Sequence, residues 1–312
     1  MDKRVIVGPG IGEDAAVIDF GETYLVAKTD PITFATDRIG WYSIHINAND
    51  IATMGARPRW FLGTVLFPEG QTDEALVEKV FDDIRTTCND LDIELVGGHM
   101  EIAYGMPRTI VVGQMLGEVS KDKLVRSENA RPGDDVILTK GIAVEATSII
   151  AREKAEQLRG KFDEPFLERC RNFLTDPGIS VVTDALTANE AAAVHAMHDP
   201  TEGGLATGLR ELAEAAGCGI RVDAKRIHVF DECKDLCAHF GLDPLGVIAS
   251  GALLIAVAPA DTENVLQALA SEGIKASVIG RLTEKSDGLK MESKGTVRDL
   301  PAFPADEIAR LF

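Results

Sequence analysis

Residues 29–58 read TDPITFATDRIGWYSIHINANDIATMGARP, and the rest of the chain is organised around this stretch. An apolar run, Tyr24 to Thr29, predicts a strand that delivers Asp30 at its end. A helix is then expected from Asp37, whose carboxylate can cap backbone amides, to about Met54, with Gly55 placed to terminate it. Ile39, Ser43, Ile46, Asp50 and Thr53 fall on related turns of that helix, so Asp50 occupies a position where a core-facing helix normally holds an apolar residue. An acid there needs a partner.

Upstream, GPGIGEDAAVID (8–19) is a glycine-rich turn that carries Asp14 into a strand from Ala15 to Asp19. Three carboxylates, Asp14, Asp30 and Asp50, then sit on separate elements of an α/β layer. At the open edge of a sheet such hard oxygen ligands suit Mg²⁺ carrying a nucleotide phosphate. Taken singly, each is also what a turn, a strand end or a solvated helix would carry.

The ordered set of motifs resembles the AIR synthase-related (PurM-like) superfamily: GIGEDAAV (10–17), KTDP (28–31), INANDIATMGARP (46–58), VGGHME (96–101) and HDPTEGGLATGLRELAEAAG (198–217). The resemblance covers nearly the whole chain and implies an α/β, two-domain fold, with an N-terminal mixed sheet forming a dimeric β-barrel and a C-terminal α/β domain. It implies Mg-ATP used to phosphorylate or activate a substrate oxygen, and a homodimer joined by the strands Tyr24–Thr29 and Arg59–Phe67.

The resemblance also assigns roles. Asp14, Asp30 and Asp50 would hold Mg²⁺. Gly10, Gly12, Lys28, Thr29, Asn49, Gly97, Gly98, Thr201, Gly203 and Gly204 would meet ATP, while Asp199 and His99 would act on the acceptor side. Gly8, Gly10 and Gly12 form no P-loop, because no Gly-Lys-Ser/Thr follows, and no dinucleotide fingerprint, because they precede a strand. Their backbone amides could still cradle phosphate oxygens as a lid. His99 follows an expected short strand, Ile93 to Val96, and lies near Glu101 at the mouth of the implied cleft. The glycine pair Gly203-Gly204 opens an expected helix, Leu205 to Ala216, and would leave amides that can meet a phosphate.

Within the superfamily the hydrogenase-maturation branch is nearest, with departures. That branch carries Arg after Asp-Pro-Thr where this chain has Glu202, and a cysteine as its last residue where this chain reads Ala309-Arg310-Leu311-Phe312. Carbamoyl-to-cyanide chemistry on its own tail is therefore not expected. Selenophosphate synthetases hold an N-terminal Cys or Sec, and here there is none; the thiamine-monophosphate kinase branch shares first-domain motifs but not the HDPTEGG signature. The acceptor stays open, with a thiamine-monophosphate kinase-like enzyme or a non-catalytic nucleotide-binding scaffold as alternatives, and a maturation protein as a further expected partner.

Composition sets outer bounds. The 312 residues are 45% hydrophobic, enough for a large core and two domains. Polar 119–134, with Pro132-Gly133, is expected to link residues 1–118 to 135–312. A formal charge of -18 argues against nucleic acid as the main partner. Five scattered cysteines, no apolar leader in MDKRVIVGPGIG and no membrane-length apolar run predict a soluble cytoplasmic protein with reduced thiols. Cys233 and Cys237 lie one helical turn apart and are read as semi-buried thiols on an amphipathic helix; the polar C-terminal tail is expected to be ordered only in part.

Overall fold

The computed structural model describes residues 2–10, 13–33 and 37–312; Gly12, expected to meet nucleotide, lies outside them. Two compact units emerge, Met1–Pro9 with Asp14–Leu124, and Gly10–Glu13 with Val125–Phe312.

The first unit comprises β1 (Val5–Val7), β2 (Ala16–Asp19), β3 (Thr23–Ile32), α1 (Ile39–Thr53), β4 (Arg57–Pro68), α2 (Glu74–Asp90), β5 (Glu94–Ala103) and β6 (Ile110–Ser120). Its six-stranded sheet runs β1-β2-β3-β6-β4-β5. Only β4 and β5 pair in parallel, through the α2 crossover. The expected core-facing helix is buried almost all round: every residue of α1 except Ile46 is buried, because the helix lies between the sheet strands β3, β4 and β6 and helix α2. Missing side chains make that close approach possible. A Cβ on Gly40 would lie 2.5 Å from the Val80 carbonyl oxygen of α2, and one on Gly113 of β6 would lie 2.3 Å from Nδ2 of Asn47.

Several local expectations are corrected. Helix α1 starts at Ile39 behind Arg38, which takes a left-handed conformation and gives no side-chain cap, so Asp37 stands outside the cap position. Gly55, at φ 74, does end the helix. Helix α2 is capped by Asp73, which accepts from the Leu76 amide, and the neighbouring Thr72 donates to the Pro68 carbonyl. Strand β5 does not stop at Gly97-Gly98 but continues to Ala103, so His99 and Glu101 are strand residues. It is an outer strand, and Leu95, Val96, Met100 and Ile102 on it are exposed. Strands β3 and β4 both lie inside the sheet.

The second unit contains β7 (Asp135–Thr139), α3 (Val144–Glu153), α4 (Ala155–Leu158), α5 (Glu164–Asn172), α6 (Val182–Ala191), β8 (Val194–His198), α7 (Gly204–Ala215), β9 (Gly219–Asp223), α8 (Asp231–Phe240), β10 (Leu254–Val257), α9 (Thr262–Ser271), β11 (Ala276–Thr283), β12 (Leu289–Ser293) and β13 (Thr296–Asp299). The sheet order is β13-β12-β9-β11-β7-β10-β8. All five residues of β7 are buried, as expected of a strand covered on both faces. Val136 and Leu138 enter one core with α3, α5, α7 and α8, while α6 and α9 pack on each other.

The C-terminal tail is ordered, contrary to expectation. It supplies β12 and β13 and ends in a 3-10 turn, Glu307–Leu311. Cys233 and Cys237 are fully buried, with their sulfurs 3.9 Å apart. No described helix is long and apolar enough to cross a membrane.

Candidate functional site

In the first unit three expected site residues come together. Lys28 and Asp30 alternate along β3, and α1 crosses that strand so that Asp50 faces it. The Lys28 ammonium lies 2.9 Å from Asp50 and 3.7 Å from Asp30. Asp50 is the most enclosed of the three, its side chain 8% exposed against 35% for Asp30. Burial pushes the Asp50 carboxyl up to about 7; Lys28 pulls against this, while Asp14 and Asp30 add to it. For Lys28 burial works downward, but the charges of Asp50, Asp30 and Asp14 outweigh it and hold the ammonium above its ordinary value. Asp14 thus lies within electrostatic reach of both partners.

The surrounding polar groups fix this arrangement. Thr29, expected to meet nucleotide, donates its hydroxyl to the Gly113 carbonyl at 2.8 Å. Asn47 donates to the Ser43 carbonyl at 2.9 Å and approaches the Asp30 carbonyl at 3.4 Å, tying α1 to β3. Sequence reasoning left the role of Asn47 open. The small residue at 113, which admits its amide, was the available signal. Asn49 is fully buried beside Asp50 on α1.

Gly97, Gly98 and His99 are elsewhere in the same unit. Asp30 pairs with Gly113, Gly113 with Gly63, and Gly63 with Gly98. Gly98 therefore shares a row with Asp30 but stands three strand spacings away, about 14 Å. His99 is next to it, 3.9 Å from Glu101, and the two side chains are 69% and 61% exposed.

The second unit carries the remaining residues. Strands β7 and β8 both run antiparallel to β10, and Leu254 is opposite both Leu138 and His198. Their C-terminal ends therefore share one end of the sheet, where Asp199 and the turn to α7 follow β8. Asp199 is buried, and His198 is 2.9 Å from Glu211. Gly203, at φ 75, is the N-cap residue of α7. The expected free amides are not free. The Gly203 amide donates to Asp306 Oδ2 at 2.8 Å, and the Gly204 amide to the Thr201 carbonyl at 3.1 Å. A carboxylate from the end of the chain sits where an anion was expected, and no local pattern around Gly203 signals it. Gly10 is exposed, and a Cβ there would meet Glu13 Cγ at 3.4 Å.

Sequence reasoning also missed Glu145, in the first turn of α3. It is fully buried, and desolvation pushes its carboxyl up to about 7; the Ser250 hydroxyl opposes this, while Glu202 and Asp306 reinforce it.

Comparison with known proteins gives this geometry a family. The AIR synthase related protein N-terminal domain matches residues 12–119 and the C-terminal domain residues 131–291. A Methanocaldococcus jannaschii protein named for hydrogenase expression and formation is 29% identical over 300 residues, 92% of this chain and 85% of its own. Carbamoyl dehydratase HypE of Rhizobium leguminosarum bv. viciae is 28% identical, over 87% of this chain and 77% of its own. Among solved structures, a HypE–HypF complex superposes with a TM-score of 0.80 at 22% identity over 94% of both chains. The hydrogenase maturation protein HypE in complex with ATP gives 0.78 at 23%, over 96% of this chain and 92% of that one. The chain belongs to the AIR synthase related protein family, in both its N-terminal and its C-terminal domain.

Proposed function

We propose that the protein is a Mg-ATP-dependent enzyme of the hydrogenase-maturation type, which phosphorylates or activates an oxygen of a small acceptor. The observation that supports this best is the gathering of Asp50 and Asp30 around the Lys28 ammonium, with Asp14 in electrostatic reach. The donor set fits Mg²⁺: all are hard carboxylate oxygens, and they already surround one positive charge. Asp14, Asp30 and Asp50 would hold the ion, which when bound supplies neutralisation of phosphate charge. Lys28 adds a point charge for a phosphate oxygen, while Thr29 ties β3 to β6 and Asn47 ties α1 to β3. Fixed charge and position are the main aids that phosphoryl transfer needs from a protein.

In this reading Asp199 serves the acceptor side, with Thr201, Gly203 and Gly204 shaping its turn. The two halves, 1–118 and 135–312, act as separate folding domains joined through 119–134. A second copy of the chain pairs at the exposed apolar edge of β5, which also carries Gly97, Gly98 and His99; a maturation protein is a further partner. Five free thiols fit a reducing cytoplasm.

Calorimetric titration with a non-hydrolysable ATP analogue, with and without Mg²⁺, tests the reading. Mg-dependent binding that disappears in Asp50→Asn is expected. Equal binding by the variant would remove Asp50 from the metal set, and no binding by the natural sequence would end the nucleotide reading.

A further inference from the structure

The C-terminal residues are tied to the second unit at several points, and one carboxylate, that of Asp306, joins them to the turn after β8. Asp306 accepts from the Gly203 amide through Oδ2 at 2.8 Å and from the Ile308 amide through Oδ1 at 2.8 Å. The Ile248 amide is near enough to favour the charged form of the Asp306 carboxyl. Gly203 belongs to the turn after β8, Ile248 to the segment 245–250, and Ile308 to the terminal 3-10 turn.

The first two segments are also clasped directly. The Ala249 amide donates to the Thr201 carbonyl at 3.2 Å and the Ala206 amide to the Leu245 carbonyl at 3.0 Å. Contact is close enough that a Cβ on Gly204 would fall 2.6 Å from the carbonyl oxygens of both Leu245 and Val247. The tail holds the same segment from its other side. The Glu307 amide donates to the Gly246 carbonyl at 2.9 Å, and a Cβ on Gly246 would strike the Phe303 ring at 2.7 Å.

We infer that Asp306 is a positioning residue, whose carboxylate holds the Gly203 amide and the 245–250 segment together and so sets the shape of the Asp199–Gly204 turn. Amide bonds to a charged acceptor are stronger than neutral ones, so one carboxylate can fix two backbone segments that otherwise meet through a few neutral contacts. The inference deepens the reading above by giving the acceptor-side turn its support. The shape of the turn itself does not depend on what that turn binds.

Hydrogen exchange followed by mass spectrometry on the full chain tests it with Asp306→Ala and Asp306→Asn. In Asp306→Ala, exchange at the Gly203 and Ile248 amides should speed up at least about tenfold, while β7, β10 and α3 keep their protection. Asp306→Asn keeps one acceptor oxygen and should fall between. In initial-rate assays of ADP release, kcat should drop while KM for Mg-ATP stays put. Wild-type exchange at Gly203 and Ile248, with faster exchange only after Asp306, would reduce Asp306 to a tail anchor and overturn the inference. Tighter binding of inorganic phosphate by Asp306→Ala than by the natural sequence would also overturn it, since the carboxylate would then be filling a ligand's place. If Asp306→Ala does not fold, the Asn variant and the same two amides decide. The exchange arm needs no turnover, so its failure is distinct from failure of the ATP reading.

Discussion

The two acid-rich regions solve opposite electrostatic problems. In the first unit, Asp50 and Asp30 share Lys28, so a buried carboxylate has a cation at 2.9 Å. In the second, the charges acting on buried Glu145 are those of Glu202 and Asp306, both acids, and burial outweighs the opposing pull of the Ser250 hydroxyl. Both carboxyls are pushed up to about 7, but by different balances. The first arrangement sets acids against a cation. The second holds acid against acid and secures it with backbone amides.

The sharpest way to break the contrast is Asp50→Asn. It should lower Mg-dependent affinity for an ATP analogue by at least about 100-fold, as expected for losing a charged metal ligand, while circular dichroism shows an intact fold. Retained affinity would make the two clusters alike, both merely structural.

Next comes Glu145. Its folded pKa is raised above the ordinary 4.5 to about 7, so the folded state holds the proton more tightly than the unfolded one. The resulting stability is fully present below about 4.5 and lost as pH rises to about 7, a span worth up to about 3 kcal/mol. Chemical denaturation should therefore show Glu145→Gln more stable than the natural sequence at pH 8, with the difference closing toward pH 4.5. A constant difference across that range would mean that Glu145 is not held neutral by its surroundings.

A smaller effect is expected from Gly113→Ala. The new methyl would lie 2.3 Å from Asn47 Nδ2 and 2.9 Å from the Phe61 ring, so α1 or Asn47 must shift, at about 1–3 kcal/mol. Thermal melts measure the cost, and loss of nucleotide affinity in the same variant would show that the Asn47 tie keeps the Lys28 cluster assembled. Smallest is Asp73→Ala, which removes the α2 cap and should cost about 1 kcal/mol in a melt without touching either cluster.

The comparison also explains what could be seen in the sequence. Lys28, Asp30 and Asp50 were legible because they sit on a strand and on the helix that follows it, within 22 positions of one another, and because an acid on a buried helix face needs a cation. The strand and helix order was legible for the same reason: apolar periodicity is local. Asp306 was not, because its partner Gly203 is 103 positions away, and nothing near either residue marks the pairing. The continuation of β5 past Gly97-Gly98 was hidden too. Two glycines read as a stop, yet a Cβ on Gly98 would fall 2.3 Å from the Gly63 carbonyl oxygen, so glycine there admits the neighbouring strand. The burial of α1 on all sides was masked by its polar residues, Ser43, Asn47, Asn49 and Asp50, which are buried with it.

The order of pairing in the second sheet bears on how the chain is made. Strand β9 pairs with β11 and, in parallel, with β12, while β7 waits for β10 and β11, and Gly203 waits for Asp306. The six strands of the first sheet are all contained in residues 5–120. During synthesis the first sheet can close while the ribosome is still working, since domains form as units from the N-terminus. The second must keep half-built edges until residues as late as 276–306 have been made, so its strands are exposed for longer and stand to gain more from a chaperone's shelter.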